Sequence, residues 1–249
     1  PRHRLRDAIR ARAFVGHYQP IVALSSGKIV GAEALVRWPQ PDGSLLSPDV
    51  FIPLAEQSGL TSQLTKVVVE KVFDDLGEWL KHHPELHISV NIAPEDLISN
   101  ELPRLLSRLL NHAQLQPQQI ALELTERGFA DPKISAPAIA AYRLSGHAVY
   151  IDDFGTGYSS LSYLQDLDVD ILKLDKSFVD ALEFKHVTPH IIEMAKSLKL
   201  AMVAEGIETE GQLEWLRRHG VQYGQGWLYS KALPKLEFIQ WAENNLDPE

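Results

Sequence analysis

The sequence predicts an α/β fold, a TIM-like (β/α)8 barrel whose first strand runs antiparallel to the rest. The first observation is a pair of apolar runs joined by the short turn Ser25–Lys28, which is typical of an antiparallel hairpin. The second is the alternation of apolar runs and helical patterns from His87 onward, as expected for parallel βα units. The third is a length of 249 residues with 45% hydrophobic content, which suits one barrel-sized domain. An open doubly wound sheet is the alternative that this pattern leaves open.

The elements follow in order along the chain. Ser47 before Pro48 predicts a helix N-terminus, because Ser is a favoured cap and Pro fits the first helical position; this helix should end near Gly59. A longer helix is predicted over 64–80, where apolar residues recur on one face. Strands are predicted at 15–24, 29–38, 87–93, 119–125, 148–151, 171–174, 200–204 and 221–223. Helices are predicted at 101–113, 132–145, 158–166, 187–199, 209–219 and from Pro234 to about Asn245.

The composition limits the classes of function. The net charge of −9 argues against nonspecific binding of a DNA or RNA polymer. The absence of Cys excludes disulfides and thiolate metal sites, and no apolar run is long enough to cross a bilayer. Residues 1–13 are rich in Arg, and we interpret them as a helical lead-in from an upstream sensory or membrane region. The barrel is then assigned to residues 14–249.

Polar side chains follow the predicted strands at their carboxyl ends, which is where a TIM-like barrel builds its active site. Two adjacent acids, Asp152 and Asp153, end one apolar run and need a compensating cation, and Lys173 lies in the middle of the next run. Other strands contribute Glu33, Asn91, Glu123 and Glu205. A single acid of this kind is usually solvated or ion-paired. Five hard oxygen ligands converging on one barrel mouth, Asp152 among them, instead predict a Mg²⁺ or Mn²⁺ site.

Further polar residues surround these strand ends. Glu33, Leu35 and Arg37 alternate along the second predicted strand, which would place them on one face. Glu126 follows the strand that carries Glu123, and the last strand continues into Gly224-Gln225-Gly226. These residues are candidates for contacts with a ligand at the mouth.

Seven segments in order resemble the EAL domain family of bacterial cyclic di-GMP phosphodiesterases. The name-giving motif is Glu33-Ala34-Leu35, preceded by Gln19-Pro20-Ile21 and continued by Val36-Arg37-Trp38. The other segments are VNIAP around Asn91, ELTE from Glu123, DDFGTGYSSLSYL from Asp152, ILKLDKSFV from Ile171, AEGIET from Ala204 and GQGWLYSKALP from Gly224. The resemblance extends from about Leu5 to Trp241. Departures from the family pattern are slight and include Trp227 where Tyr is frequent.

The resemblance implies hydrolysis of cyclic di-GMP to linear 5′-pGpG, assisted by two Mg²⁺ or Mn²⁺ ions per active site. It also implies a homodimer and a cytoplasmic domain, either free or within a protein anchored in the inner membrane. The family pattern makes Glu33, Asn91, Glu123 and Asp152 ligands of the first metal, with Asp153 joining Asp152 at the second. Lys173 is implied beside the attacking water, Glu205 at the metal-bound water and Glu126 as the brace of the DFGTGYSS loop. Gln19, Leu35, Arg37 and Gln225 are implied substrate contacts.

Two other functions remain as alternatives. A barrel of this family could bind cyclic di-GMP without cleaving it, but such a protein would be expected to lack a ligand, and this sequence keeps them all. A Schiff-base aldolase could use Lys173 as its amine nucleophile. That chemistry requires a desolvated lysine without a crowd of acids around it.

Overall fold

The computed structural model describes residues 2–125, 131–154, 164, 168–182 and 187–248, without the side chains of Arg2, His3, Pro132, Asp153 and Phe154. Eleven strands occur in these ranges. They are β1 His17–Ala23, β2 Ile29–Ala34, β3 Trp38–Pro39, β4 Leu45–Leu46, β5 His87–Asn91, β6 Ile120–Thr125, β7 Val149–Phe154, β8 Ile171–Leu174, β9 Ala201–Ala204, β10 Tyr223–Gly224 and β11 Leu233–Pro234.

Eight of these strands close into a barrel, in the order β1, β2, β5, β6, β7, β8, β9 and β10, with β10 pairing back onto β1. β1 is antiparallel to both of its barrel neighbours, whereas the other neighbours pair in parallel. β11 pairs with β1 at His17 and Tyr18. The predicted barrel with a reversed first strand is therefore confirmed, and the open sheet is wrong.

Helices connect the parallel strands and cover the outside of the barrel. The described helices are Arg2–Ala11, Pro48–Ser58, Thr61–Lys81, Glu101–Ala113, Pro132–Leu144, Lys176–Asp180, Val187–Ser197, Glu210–Arg218 and Lys235–Glu243. Gly59 ends the second of these in the left-handed conformation, as its sequence position predicted. The short helix Lys176–Asp180 was not predicted, and the predicted helix at 158–166 lies outside the described residues except for Leu164, which is buried.

The second strand is shorter than predicted. β2 ends at Ala34 rather than at Trp38, because Trp38 pairs with Leu46 in the separate hairpin of β3 and β4. Arg37 forms an antiparallel bridge to Val15, with a backbone hydrogen bond in each direction. Beyond Ala34 the antiparallel pairing continues in the same register, because the backbone N–H of Leu35 donates to the carbonyl of His17 and that of Arg37 to the carbonyl of Val15. The predicted alternation of Glu33, Leu35 and Arg37 on one face stays a prediction that this pairing supports. The last barrel strand is also displaced, from the predicted 221–223 to Tyr223–Gly224.

The barrel wall is covered by one apolar layer on its inner face and a second on its outer face. Inside the barrel, Ile21, Ala121, Tyr150 and Val203 form a small cluster of their own. Outside, the helices and the outward faces of the strands form the main core, which includes Leu5 of the N-terminal helix. Within the described ranges, no helix combines the length and the apolar character needed to cross a bilayer.

Candidate active site

The polar residues of the mouth lie on the inward faces of the barrel strands. Because side chains alternate along a strand, a residue two positions after an inward apolar residue also points inward. Glu123 follows Ala121 in this way, and Asp152 follows Tyr150. The small apolar cluster therefore lies below a polar layer formed at the carboxyl ends of the parallel strands.

Lys173 is the centre of the polar layer. Its side chain is fully buried, and Nζ lies 2.9 Å from Oε1 of Glu33 and 3.1 Å from Oε1 of Glu123. It also lies 3.1 Å from Oε1 of Glu205. Lys173 is 140 residues from Glu33 and 50 residues from Glu123 in sequence, so its ammonium group joins distant parts of the chain. One lysine cannot neutralise three carboxylates, so full ionisation of the cluster would leave an excess of negative charge.

The pKa values of these groups follow from burial and from one another. Burial would lower the pKa of Lys173, but Glu123, Glu33 and Glu205 raise that pKa well above its ordinary value. Burial and repulsion from Glu33 raise the pKa of Glu123 to about 8, and burial also raises the pKa of Glu205. Burial alone would raise the pKa of Glu33, yet Lys173 and bonds from Asn91 and Gln225 hold that pKa below its ordinary value. The site favours an added cation, which would relieve this repulsion.

The donor set fits a hard divalent cation. One carboxylate oxygen from each of Glu33, Glu123 and Asp152 lies within 4.8 Å of the others. Asn91 Nδ2 donates to Glu33 Oε2 at 3.0 Å, so the amide oxygen of Asn91 stays available as a further ligand. Oxygen donors of this kind are the ligands that Mg²⁺ and Mn²⁺ prefer. The sequence-predicted residues Glu33, Asn91, Glu123 and Asp152 are therefore brought together.

A chain of amides links the cluster to the last barrel strand. Gln225 Nε2 donates to Glu33 Oε1 at 3.0 Å and to Gln19 Oε1 at 2.9 Å. Gln19 Nε2 in turn donates to the backbone carbonyl of Ser230 at 3.3 Å. Because each amide nitrogen faces an acceptor, the chain fixes the orientation of both amides.

The remaining predicted residues divide into three groups. Leu35 and Arg37 are half-buried beside the mouth, and Arg37 donates to the carbonyl of Leu35 at 3.1 Å. Asp153 belongs to β7, but its side chain lies outside the described residues. Glu126 lies outside the described residues altogether, as does the loop after Phe154.

Two supporting residues were not predicted from the sequence. Ser89 is buried and donates from Oγ to Glu123 Oε1 at 2.7 Å. Its position two residues before Asn91 was the available signal, since both then face inward. Asp96 is buried below the loop after Asn91, where its carboxylate accepts from the N–H of Ala93 at 2.8 Å and from the hydroxyl of Ser62 at 2.9 Å.

The environment of Lys173 disfavours the aldolase alternative. A Schiff-base lysine must present a neutral amine, which requires a lowered pKa. The carboxylates around Lys173 raise its pKa instead and keep the group as an ammonium ion. Lys173 therefore acts here as a fixed positive charge.

Comparison with known sequences gives a family match and close relatives. A family model described as EAL domain matches residues 2–232. A protein of Escherichia coli strain K12, named probable cyclic di-GMP phosphodiesterase PdeB, is 68% identical over 246 residues, covering 99% of this chain and 48% of that protein. This chain thus spans about half the length of that relative.

Solved structures give the same match in three dimensions. The PaMucR phosphodiesterase in complex with c-di-GMP is similar with a TM-score of 0.88 and 35% identity, covering 95% of this chain and 98% of that chain. The EAL enzyme Bd1971, in a form with cAMP and cyclic di-GMP bound, has a TM-score of 0.90 and 31% identity, covering 97% and 68% of the two chains.

Proposed function

The chain belongs to the EAL domain family, and from that premise we propose that it hydrolyses cyclic di-GMP to linear 5′-pGpG with the assistance of two divalent cations. The observation that carries the proposal is the buried cluster in which Lys173 contacts Glu33, Glu123 and Glu205 beside Asp152. The printed name of the E. coli relative and the ligand of the PaMucR structure support the choice of substrate.

We assign the first cation to Glu33, Asn91, Glu123 and Asp152, and the second to Asp152 with Asp153. When bound, Mg²⁺ or Mn²⁺ would polarise a phosphate oxygen and lower the pKa of a water molecule. The chain's own residues give this chemistry a fixed frame. Ser89 and Lys173 hold the carboxylate of Glu123, and Asn91 and Gln225 hold that of Glu33. Restrained ligands keep the geometry that catalysis needs.

Lys173 and Glu205 are assigned to the attacking water. The ammonium group is a charge-assisted donor, and Glu205 is an acceptor whose pKa burial raises well above its ordinary value. Their separation of 3.1 Å lets both groups contact one water molecule. Glu126 is proposed as the brace of the loop that follows Asp153.

Substrate contacts are assigned to Gln19, Leu35, Arg37 and Gln225. Arg37 has a guanidinium group at the mouth, where it would bind a phosphate oxygen with paired N–H donors. Homodimerisation, a cytoplasmic location and an upstream sensory or membrane region also remain proposals. The first of these is tested by measuring the mass of the purified chain in solution.

The decisive experiment incubates the purified chain with cyclic di-GMP and Mg²⁺ or Mn²⁺ and separates the products by chromatography. Linear pGpG should form, EDTA should abolish its formation, and restored metal should recover it. Unchanged turnover in EDTA would contradict the metal-assisted mechanism. Binding of cyclic di-GMP without cleavage would instead assign this chain to the non-hydrolysing alternative.

A further inference from the structure

Trp227 differs in exposure from the other four tryptophans, all of which lie in the described residues. It leaves 77% of its surface exposed, whereas Trp38 is buried and Trp79, Trp215 and Trp241 are half-buried against the core. A single exposed apolar side chain is ordinary on a protein surface, so its place in the fold decides its meaning.

The backbone around Trp227 is fixed at the rim of the barrel mouth. The N–H of Ile207 donates to the carbonyl of Gln225 at 3.1 Å, and the N–H of Leu228 donates to the carbonyl of Ile207 at 3.0 Å. Gly226 packs so closely that a Cβ atom there would lie 2.3 Å from the backbone of Ile207. These contacts fasten the turn that carries Trp227 to the loop that follows Glu205, and they leave the indole itself outside the core.

The same turn is joined to the proposed site on its other side. Ser230, three residues after Trp227, accepts the amide of Gln19, and Gln225, two residues before it, donates to Glu33. The chain can extend by no more than about 7 Å over two residues, so the backbone of Trp227 lies close to the polar layer. Gln225 is buried, and its Oε1 has no hydrogen-bond partner among the described residues. Since the amide nitrogen is fixed by Gln19 and Glu33, this oxygen is a free acceptor in the site.

We propose that Trp227 is a binding residue that stacks its indole on one purine base of the cyclic dinucleotide. The inference rests on the proposed function, because it takes the substrate class from there. The cation site and Arg37 account for the phosphates at the centre of the mouth, so the bases must project towards the rim. An exposed planar ring on a fixed backbone matches the face of a purine, and such stacking is tolerant of base identity. The base contact would contribute to binding rather than to the chemical step.

The kinetic test compares Trp227→Ala, Trp227→Phe and the control Leu144→Ala with the unchanged chain. Leu144 is also exposed, but it ends the helix that leads into the amino end of β7, and the mouth lies at the carboxyl ends of the parallel strands. Loss of one stacked base should raise KM on the order of tenfold in Trp227→Ala, with kcat nearly unchanged. The KM of Trp227→Phe should lie between those of Trp227→Ala and the unchanged chain, and the KM of Leu144→Ala should equal that of the unchanged chain. A KM for Trp227→Ala equal to that of the control would overturn the inference.

A fluorescence test separates this inference from the proposed function. Cyclic di-GMP, mixed rapidly with the chain in Mg²⁺, should quench tryptophan emission in a saturable way, and Trp227→Phe should lose that quenching. If quenching depends on Trp227 but no pGpG forms, the result supports the base contact and contradicts the proposed hydrolysis. If pGpG forms but the unchanged chain shows no quenching, or if Trp227→Phe keeps the quenching, the result supports the hydrolysis and the base contact is wrong.

Discussion

Replacing Lys173 with Met should destabilise the protein strongly in the absence of metal. The substitution keeps an unbranched apolar stem and removes only the buried charge. In the native structure that charge contacts three carboxylates, Glu33, Glu123 and Glu205, at 2.9, 3.1 and 3.1 Å. Removing one partner of a buried ion pair costs about 3–5 kcal/mol, since the other partner stays buried without compensation. For a chain of this size, the corresponding fall in Tm is roughly 6–20 °C.

The effect should depend on pH in a defined direction. Loss of the ammonium removes the charge that lowers the pKa of Glu33, Glu123 and Glu205, so these pKa values rise and the folded variant binds more protons than the folded unchanged chain. The stability of the variant therefore falls relative to the unchanged chain as pH rises. In the unchanged chain Lys173 holds the pKa of Glu33 below its ordinary value of 4.5, and without the ammonium burial should raise that pKa above 4.5, which places the window for the measurement on both sides of this value. The deficit should be smallest near the acidic end of that window.

The assay is urea unfolding in EDTA at several pH values, with Lys176→Met as the matched control. Lys176 also has two ion pairs, to Asp180 at 2.7 Å and to Glu208 at 3.2 Å, but its side chain is 49% exposed. Surface pairs are worth about 0–1 kcal/mol, so the control should lose little. Mn²⁺ at a hundredfold excess over its Kd should raise the free energy of unfolding of the Lys173 variant by about 2.7 kcal/mol. A loss no larger than that of the control, or no gain from Mn²⁺, would refute the reasoning.

Three further substitutions test other parts of the site and barrel. Glu33→Gln should weaken Mn²⁺ binding and abolish hydrolysis, and it should destabilise the protein in EDTA less than Lys173→Met does, because Lys173 keeps two acidic partners. Calorimetry measures the Mn²⁺ binding, and urea unfolding measures the stability. Burial lowers the pKa of His87 to about 4. The free energy of unfolding should therefore fall as pH drops from 6.5 towards 4, by up to about 1.4 kcal/mol per pH unit. Urea unfolding at several acidic pH values should show that His87→Gln lacks this contribution of His87 to the pH dependence. Gly226→Ala should cost about 1–3 kcal/mol and lower kcat, because its backbone has φ +154° and its Cβ would strike Ile207; Gly27→Ala, with open space around it, should leave kcat unchanged.

The architecture of the barrel could be predicted because its signals are local. Ser25–Lys28 forms a turn between two apolar runs, which requires an antiparallel pair, and apolar runs alternate with helices thereafter. Each acid at a strand end could also be assigned to the mouth, because parallel strands bring their carboxyl ends together. These inferences need only the periodicity of each segment and not knowledge of its partners.

The features that were missed depend on partners far away in sequence. β2 stops at Ala34 because Trp38 pairs with Leu46, and nothing within the run of residues 29–38 indicates that pairing. Ser89 resembles any strand serine until Glu123, 34 residues later, is placed beside it. The link from Gln19 to Gln225 spans 206 residues and forms only when the barrel closes.

The reversed first strand explains why the site includes Gln19 at all. Along the parallel strands, the inward apolar residue precedes the polar one, as Ala121 precedes Glu123 and Tyr150 precedes Asp152. Along β1 the order is inverted: Gln19 precedes the inward apolar residue Ile21. An antiparallel strand passes the mouth first and the apolar layer second, so the inverted order gives the same two layers. A parallel β1 with this sequence would bury Gln19 among apolar residues and leave Ile21 at the mouth. The sequence order of these two residues therefore specifies the direction of β1, and that direction places the Gln19 amide beside Gln225 and Glu33.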